Sequence, residues 1–349
     1  MKVRGDPSAS VLANRDREGA GGTGRFTRSL TVAVRLEMLM AQTDTLLRYR
    51  PWRGVPRGPL YASVALARAS LKLMFRRRLL WGLFALGLLI FFFFFYAQYL
   101  VVWITNQLAT ETVRFAGIPV TVRNLTRFLD RLALNGTTHT FGNFIWFEGY
   151  ILIIVLSLAG SVLVGNDFFH GSLPFYLSKP IGRRHYIFGK CLAIGALINL
   201  MTTVPAIILW LEAGLLYDWK TYYLDNLDLL LGIIGYGLVL TVTLSLLTVA
   251  TAVWVRRTVP MVMIWMGLFV LLKMLANWLT IAMQDERWRL IDLWNNLYLC
   301  GLWCLQADHT TIRPQPQPSY GQAWLVVGGV IVACVLYLRK RIQAVEIVQ

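Results

Sequence analysis

From Leu79 to Ile104 the chain carries no charged residue, and the run Phe91 to Phe95 sits inside that stretch. About 20 mainly apolar residues, rising 1.5 Å each as a helix, cross a hydrocarbon core of roughly 30 Å, so a segment of this kind reads as a membrane span. Five further stretches meet the same criterion: 143–166, 187–211, 227–255, 259–283 and 322–338. Only Arg256, Arg257 and Thr258 separate the fourth from the fifth, which makes that link a tight hairpin. Composition excludes a single water-soluble domain. Of 349 residues 56% are hydrophobic and 15% charged, against roughly 25% charged in a soluble domain. The expected fold class is an all-α integral membrane protein with six transmembrane helices.

A net charge of +16 would suggest nucleic acid in a soluble chain, but in a membrane protein lipid head groups and the orientation rule compete for the same lysines and arginines. Position decides. With the amino terminus inside, the inner segments hold 25 basic residues and the outer segments eight, with Lys273 left within a span. Both termini are therefore expected in the cytoplasm. Membrane lipid is an expected partner and nucleic acid is not.

The tail over 1–57 is rich in Arg and Gly and has no early apolar run, so it reads as a disordered basic cytoplasmic tail and not as a signal peptide. Gly19, Gly21 and Gly24 match a dinucleotide-binding spacing, but the charged stretch Asn14 to Glu18 stands where a strand would have to precede them. Over 58–78, Leu60, Val64, Ala67, Leu71 and Phe75 recur every three or four residues with Arg68, Lys72 and Arg76 between them. Two placements fit this pattern: an amphipathic helix on the inner leaflet, or an inward extension of the first span.

Reaction chemistry needs titratable groups inside the bilayer. Glu148, Asp228 and Lys190 lie near span ends, where a side chain reaches the interface. Lys273 lies near the middle of the fifth span, and Glu148, the deepest acid, is its nearest candidate partner. His139, His170, His185 and His309 are scattered over different loops, and Cys300, Cys304 and His309 read as packing residues before they read as a metal site. No catalytic residue, metal or cofactor is expected. Gly189-Lys190 resembles the end of a phosphate-binding loop, but Arg184 replaces its first glycine and Cys191 its Ser or Thr. Any nucleotide that drives this protein binds another polypeptide.

The link between the second and third spans holds the most specific pattern. Ser172 is a good N-cap, Pro174 fits a first turn, and Pro180 stops a helix, which predicts about two turns over Leu173 to Ser178. Its apolar members Leu173, Phe175, Tyr176 and Leu177 either rest on the bilayer surface or dock into a protein.

Asp167, Gly171-Ser172-Leu173, Leu177-Ser178, Pro180, Arg183 and Phe188-Gly189-Lys190 follow in the order seen in permease subunits of type-2 ABC transporters, and the chain resembles that family, in particular the permeases associated with multicopper-enzyme maturation. The resemblance covers the layout of interfacial helix, six spans and basic tail as well as the motif. It implies a bacterial plasma membrane and export of a substrate. It also implies two copies of a separate ATPase subunit, a second permease copy (identical or different), and a coupling helix in which Asp167, Gly171, Ser172, Leu173, Phe175, Tyr176, Leu177 and Pro180 take part. In the family, short re-entrant helices precede the sixth span, a role that 286–306 fits here. Family members usually carry Glu where Asp167 or His170 stands, and the outer segment 105–142 has no explanation in the likeness. An ATP-independent channel or secondary transporter is the alternative. It would need intramembrane charges such as Glu148 and Lys273, and broken helices or inverted repeats.

Overall fold

Among the described residues of the computed structural model, six helices are long and apolar enough to cross a membrane: Arg78–Trp103, Thr138–Phe169, Arg183–Leu216, Leu227–Trp254, Thr258–Met283 and Tyr320–Arg341. The protein is a helical multi-pass membrane protein. The structure describes residues 58–108, 114–115, 118–119, 134, 136–169, 182–217, 219–255, 257–309, 312 and 314–341. The tail over 1–57 and the motif segment from His170 to Ile181 lie outside the described residues.

The second, third and fourth spans form the centre. Their most apolar windows are 72%, 61% and 56% buried, whereas those of the first, fifth and sixth are each 22% buried. Lipid tails are as apolar as leucine, so close packing and hydrogen bonds hold such helices together rather than escape from water. The fourth and fifth spans show this. The Trp265 indole donates to the Thr251 hydroxyl at 3.1 Å, and the Ser161 hydroxyl donates to Thr258 at 2.9 Å, tying the second span to the start of the fifth.

The third span runs further than its composition suggests. After a break at Thr202 a new helix, Thr203–Leu216, continues past 211. Pro205 sits in the first turn of that helix, where its missing N–H breaks no intrahelical bond. Beyond it Trp219–Asp225 forms a short helix whose Tyr222 hydroxyl donates to the Gly136 carbonyl at 2.8 Å. A two-residue antiparallel pairing, Arg114 opposite Pro119 and Phe115 opposite Ile118, follows the first span in this otherwise helical set of described residues.

Between the fifth and sixth spans the chain turns back into the bundle. Gln284, in the left-handed region at φ 53°, ends the fifth span, and a 3-10 helix, Glu286–Ile291, follows. Asp292 then caps the helix Leu293–Cys304 by accepting from the Trp294 and Asn295 N–H groups at 3.0 and 3.2 Å. Every residue from Leu293 to Leu302 is buried. Glycines admit the helix: a Cβ on Gly149 of the second span would overlap the Trp294 ring, one on Gly142 would lie 2.7 Å from Leu302 Cδ2, and one on Gly232 of the fourth 2.6 Å from the Cys304 carbonyl oxygen. Gly149 is seven residues, about 10 Å, along the second span from Gly142. The inserted helix therefore begins deep, at Trp294, and climbs toward the starting end of the second span.

Candidate functional site

Asp167 and Lys190 meet at the root of the motif segment. Asp167 lies in the short helix Asn166–Phe169 that ends the second span, and Lys190 lies two turns into the third. The Lys190 ammonium stands 2.8 Å from Asp167 Oδ2, with the side chains 5% and 15% exposed. It also donates to the Leu163 carbonyl at 2.5 Å and the Ser70 hydroxyl at 3.3 Å. The Tyr186 hydroxyl donates to Asp167 at 2.9 Å.

Local sequence explains each member. Tyr186 and Lys190 are four apart and so share one face of the third span. Leu163 belongs to a π-helical turn, Ser161–Gly165, and such a turn interrupts the regular α ladder and is often found at functional sites. Ser70 comes from the helix Pro59–Phe75, so a single ammonium ties together the first helix, the second span and the third. Among the described residues this is the one ion pair.

The first helix packs by a face other than the one its apolar spacing suggests. Ser63, Ala67, Ser70 and Met74 are buried, whereas Leu60 and Val64 are exposed. Small residues let backbones approach: a Cβ on Gly189 would lie 2.9 Å from the Ser63 carbonyl oxygen, and the Ser63 hydroxyl donates to the His185 carbonyl at 3.1 Å. The serines hid this stripe in the sequence because they count as polar. Its signal was the Ser-x-x-x-Ala spacing.

Lys190, read from the sequence as interfacial, is a buried member of the site. The other proposed coupling residues, Gly171, Ser172, Leu173, Phe175, Tyr176, Leu177 and Pro180, lie outside the described residues. Both flanks of that segment are described. Arg257, from the hairpin between the fourth and fifth spans, places its guanidinium 5.7 Å from the centre of the Phe169 ring, and Gly182 starts the third span.

The Lys273 to Glu148 pair is corrected. Lys273 donates to the Tyr150 hydroxyl and lies 4.8 Å from the ring centres of both Tyr150 and Trp146. Its charge acts on Asp292 at the base of the inserted helix. Burial pushes the Asp292 carboxyl above its ordinary value, and the Asn295 N–H, the Lys273 charge, the Trp294 N–H and the Arg289 charge each act downward.

Glu148 faces the opposite way, where a Cβ on Gly87 of the first span would overlap its carboxylate. Glu148 Oε2 is buried and has no hydrogen-bond partner among the described residues. Gln98 and Glu212 share that condition. A Cβ on Gly87 would lie 3.3 Å from Met201 Cε, and Gln98 and Glu212 stand eleven residues beyond Gly87 and Met201 respectively. With the first and third spans running the same way, the two side chains fall at similar depth. Composition ends the third span at 211 and so leaves Glu212 outside it, whereas the helix runs on to Leu216.

Set against known proteins, the chain matches no family model and no curated protein.

Proposed function

We propose that the protein is the permease subunit of an ATP-driven transporter, moving its substrate across a plasma membrane with energy from a separate ATPase subunit. Six spans and the absence of a phosphate-binding loop in the sequence are compatible with that role. The carrying observation is the Asp167–Lys190 pair. It closes the base of the 170–181 segment and joins that base to the first helix through Ser70. A push arriving at that base is then delivered to three helices at once. Under this reading Gly171 to Pro180 is the coupling helix, Phe175 and Tyr176 are its anchors, the first helix lies on the cytoplasmic leaflet, and a second permease copy completes the path.

The test uses the full chain, affinity-tagged and purified from its native membrane. A subunit that hydrolyses ATP should accompany it, and Phe175→Ala with Tyr176→Ala should abolish that association while the permease still inserts. At about 2 kcal/mol for each buried aromatic anchor, either single change weakens binding roughly thirtyfold. Full retention of the ATPase by the double variant would overturn the assignment.

A second reading, an ion- or proton-coupled transporter without ATP, draws on the buried carboxylates Glu148 and Glu212 with Gln98 between the first three spans. Reconstituted vesicles separate the two. Substrate movement that follows a pH gradient without nucleotide and fails in Glu148→Gln favours the second.

A further inference from the structure

A groove of about 670 Å³ opens laterally between the third, fourth and sixth spans, within the roughly 300–1,000 Å³ of small-molecule sites. Its walls are mainly apolar, with Phe188 and Leu192 from the third span, Val242 from the fourth and Leu338 from the sixth, and Thr241 and Ser245 add two hydroxyls. Phe188, Leu192 and Val242 are exposed, so the groove faces the bilayer and not the bundle interior. Charge gathers at one end only. Arg184 opens the third span and Arg339 closes the sixth, and both line the groove. Among the described residues no carboxylate lines the groove, and the one ion pair lies elsewhere. The third span also begins at Gly182 without a side-chain cap, so the positive end of its helix dipole lies at the same level as the arginines.

We infer that this groove holds one anionic phospholipid, its phosphate between Arg184 and Arg339 and an acyl chain along Phe188, Leu192 and Val242. The two ends of the groove match the two ends of such a molecule. Along the walls a transported polar solute would meet only the Cys191 thiol and the hydroxyls of Thr241, which already accepts from Asn199, and Ser245, which already donates to the Val242 carbonyl, and a second copy of the chain would have to supply acids to the arginine end. Basic pockets between spans at the cytoplasmic side are a recognised setting for anionic head groups, and the arginines lie on the side that the distribution of basic residues assigns to the cytoplasm.

The test is native mass spectrometry of the purified full chain, with phosphatidylglycerol, phosphatidylcholine of the same acyl chains, and inorganic phosphate as probes. The chain alone suffices, so the result does not depend on any ATPase. One phosphatidylglycerol should bind at least tenfold more tightly than phosphatidylcholine. Arg184→Gln with Arg339→Gln should weaken it about thirtyfold, each arginine near a membrane surface contributing about fivefold. Val242→Trp, at an exposed position away from the arginines, should obstruct the acyl channel and lower phosphatidylglycerol binding with both arginines intact. It keeps the test decisive if the double arginine variant fails to fold. Equal binding of the two lipids overturns the proposal. So does full competition by inorganic phosphate with no effect of Val242→Trp, which would make the site a surface anion site. A chain dimer that excludes lipid and falls apart in the arginine variant would assign the groove to a second copy and also overturn it.

Discussion

Removing either partner of the Asp167–Lys190 pair strands the other, but not equally. In Asp167→Asn the Lys190 ammonium, 5% exposed, keeps only the Leu163 carbonyl, the Ser70 hydroxyl and a neutral amide. In Lys190→Met the Asp167 carboxylate, 15% exposed, keeps the Tyr186 hydroxyl and some access to water. Breaking a buried pair on one side costs about 3–5 kcal/mol. The lower end, about 3 kcal/mol, belongs to Lys190→Met and the upper, about 5 kcal/mol, to Asp167→Asn. The double variant Asp167→Asn/Lys190→Met removes both charges, so its loss should fall below that of Asp167→Asn alone, leaving an interaction energy of several kcal/mol. The assay is a double-mutant cycle on the purified protein in detergent, following loss of monodisperse protein on heating and alkylation of a cysteine introduced on the buried face of the first helix at Ala67. Losses that add within about 0.5 kcal/mol, the usual limit for independent sites, would refute the pairing and with it the stiff base proposed for the coupling segment.

Gly149→Ala should destabilise the protein by about 1–3 kcal/mol, since its Cβ would overlap the Trp294 ring. Gly82→Ala, with open space around it, should be neutral or stabilising in the same thermal assay. Burial pushes the Cys300 thiol up to about 12, with the Cys304 charge adding to it. Because the thiolate is the reactive form, Cys300 should resist maleimide at pH 8 in the folded protein and react once the protein is denatured, as read by mass shift. A reporter after Gln349 should be cytoplasmic and one inserted near Asn135 external; labelling of both on one side would reject six spans with this orientation.

The spans were legible because membrane crossing imposes a length and a composition that few other segments meet. Segments that depend on contact were less so. Nothing in the composition of Leu293 to Cys304 marks it as buried, and with Trp294, Asn295, Asn296 and Tyr298 it reads equally as a surface helix. What buries it is the set of glycines on other spans, Gly149, Gly142 and Gly232, which acquire meaning only once those spans stand side by side. The end of the third span failed for a related reason. A rule that stops at a charge stopped before Glu212, whose carboxylate is buried against neighbours that the sequence does not place.

For the charged residues inside the membrane, depth was the wrong criterion and helical phase the right one. Depth alone points to Glu148, the deepest acid, as the partner of Lys273. Successive residues on a helix turn by about 100°, so Trp146 and Tyr150 share a face while Glu148, two residues from each, points about 160° away from both. Lys273 approaches from the fifth span onto the Trp146–Tyr150 face, which turns Glu148 toward Gly87 of the first span. The same phase argument identifies Lys190 with Tyr186 as one face of the third span, aimed at Asp167. A cation and an acid at matched depth pair only if their helices turn them toward each other, and in this protein that condition selects Asp167 with Lys190 and turns Glu148 toward Gly87 of the first span instead.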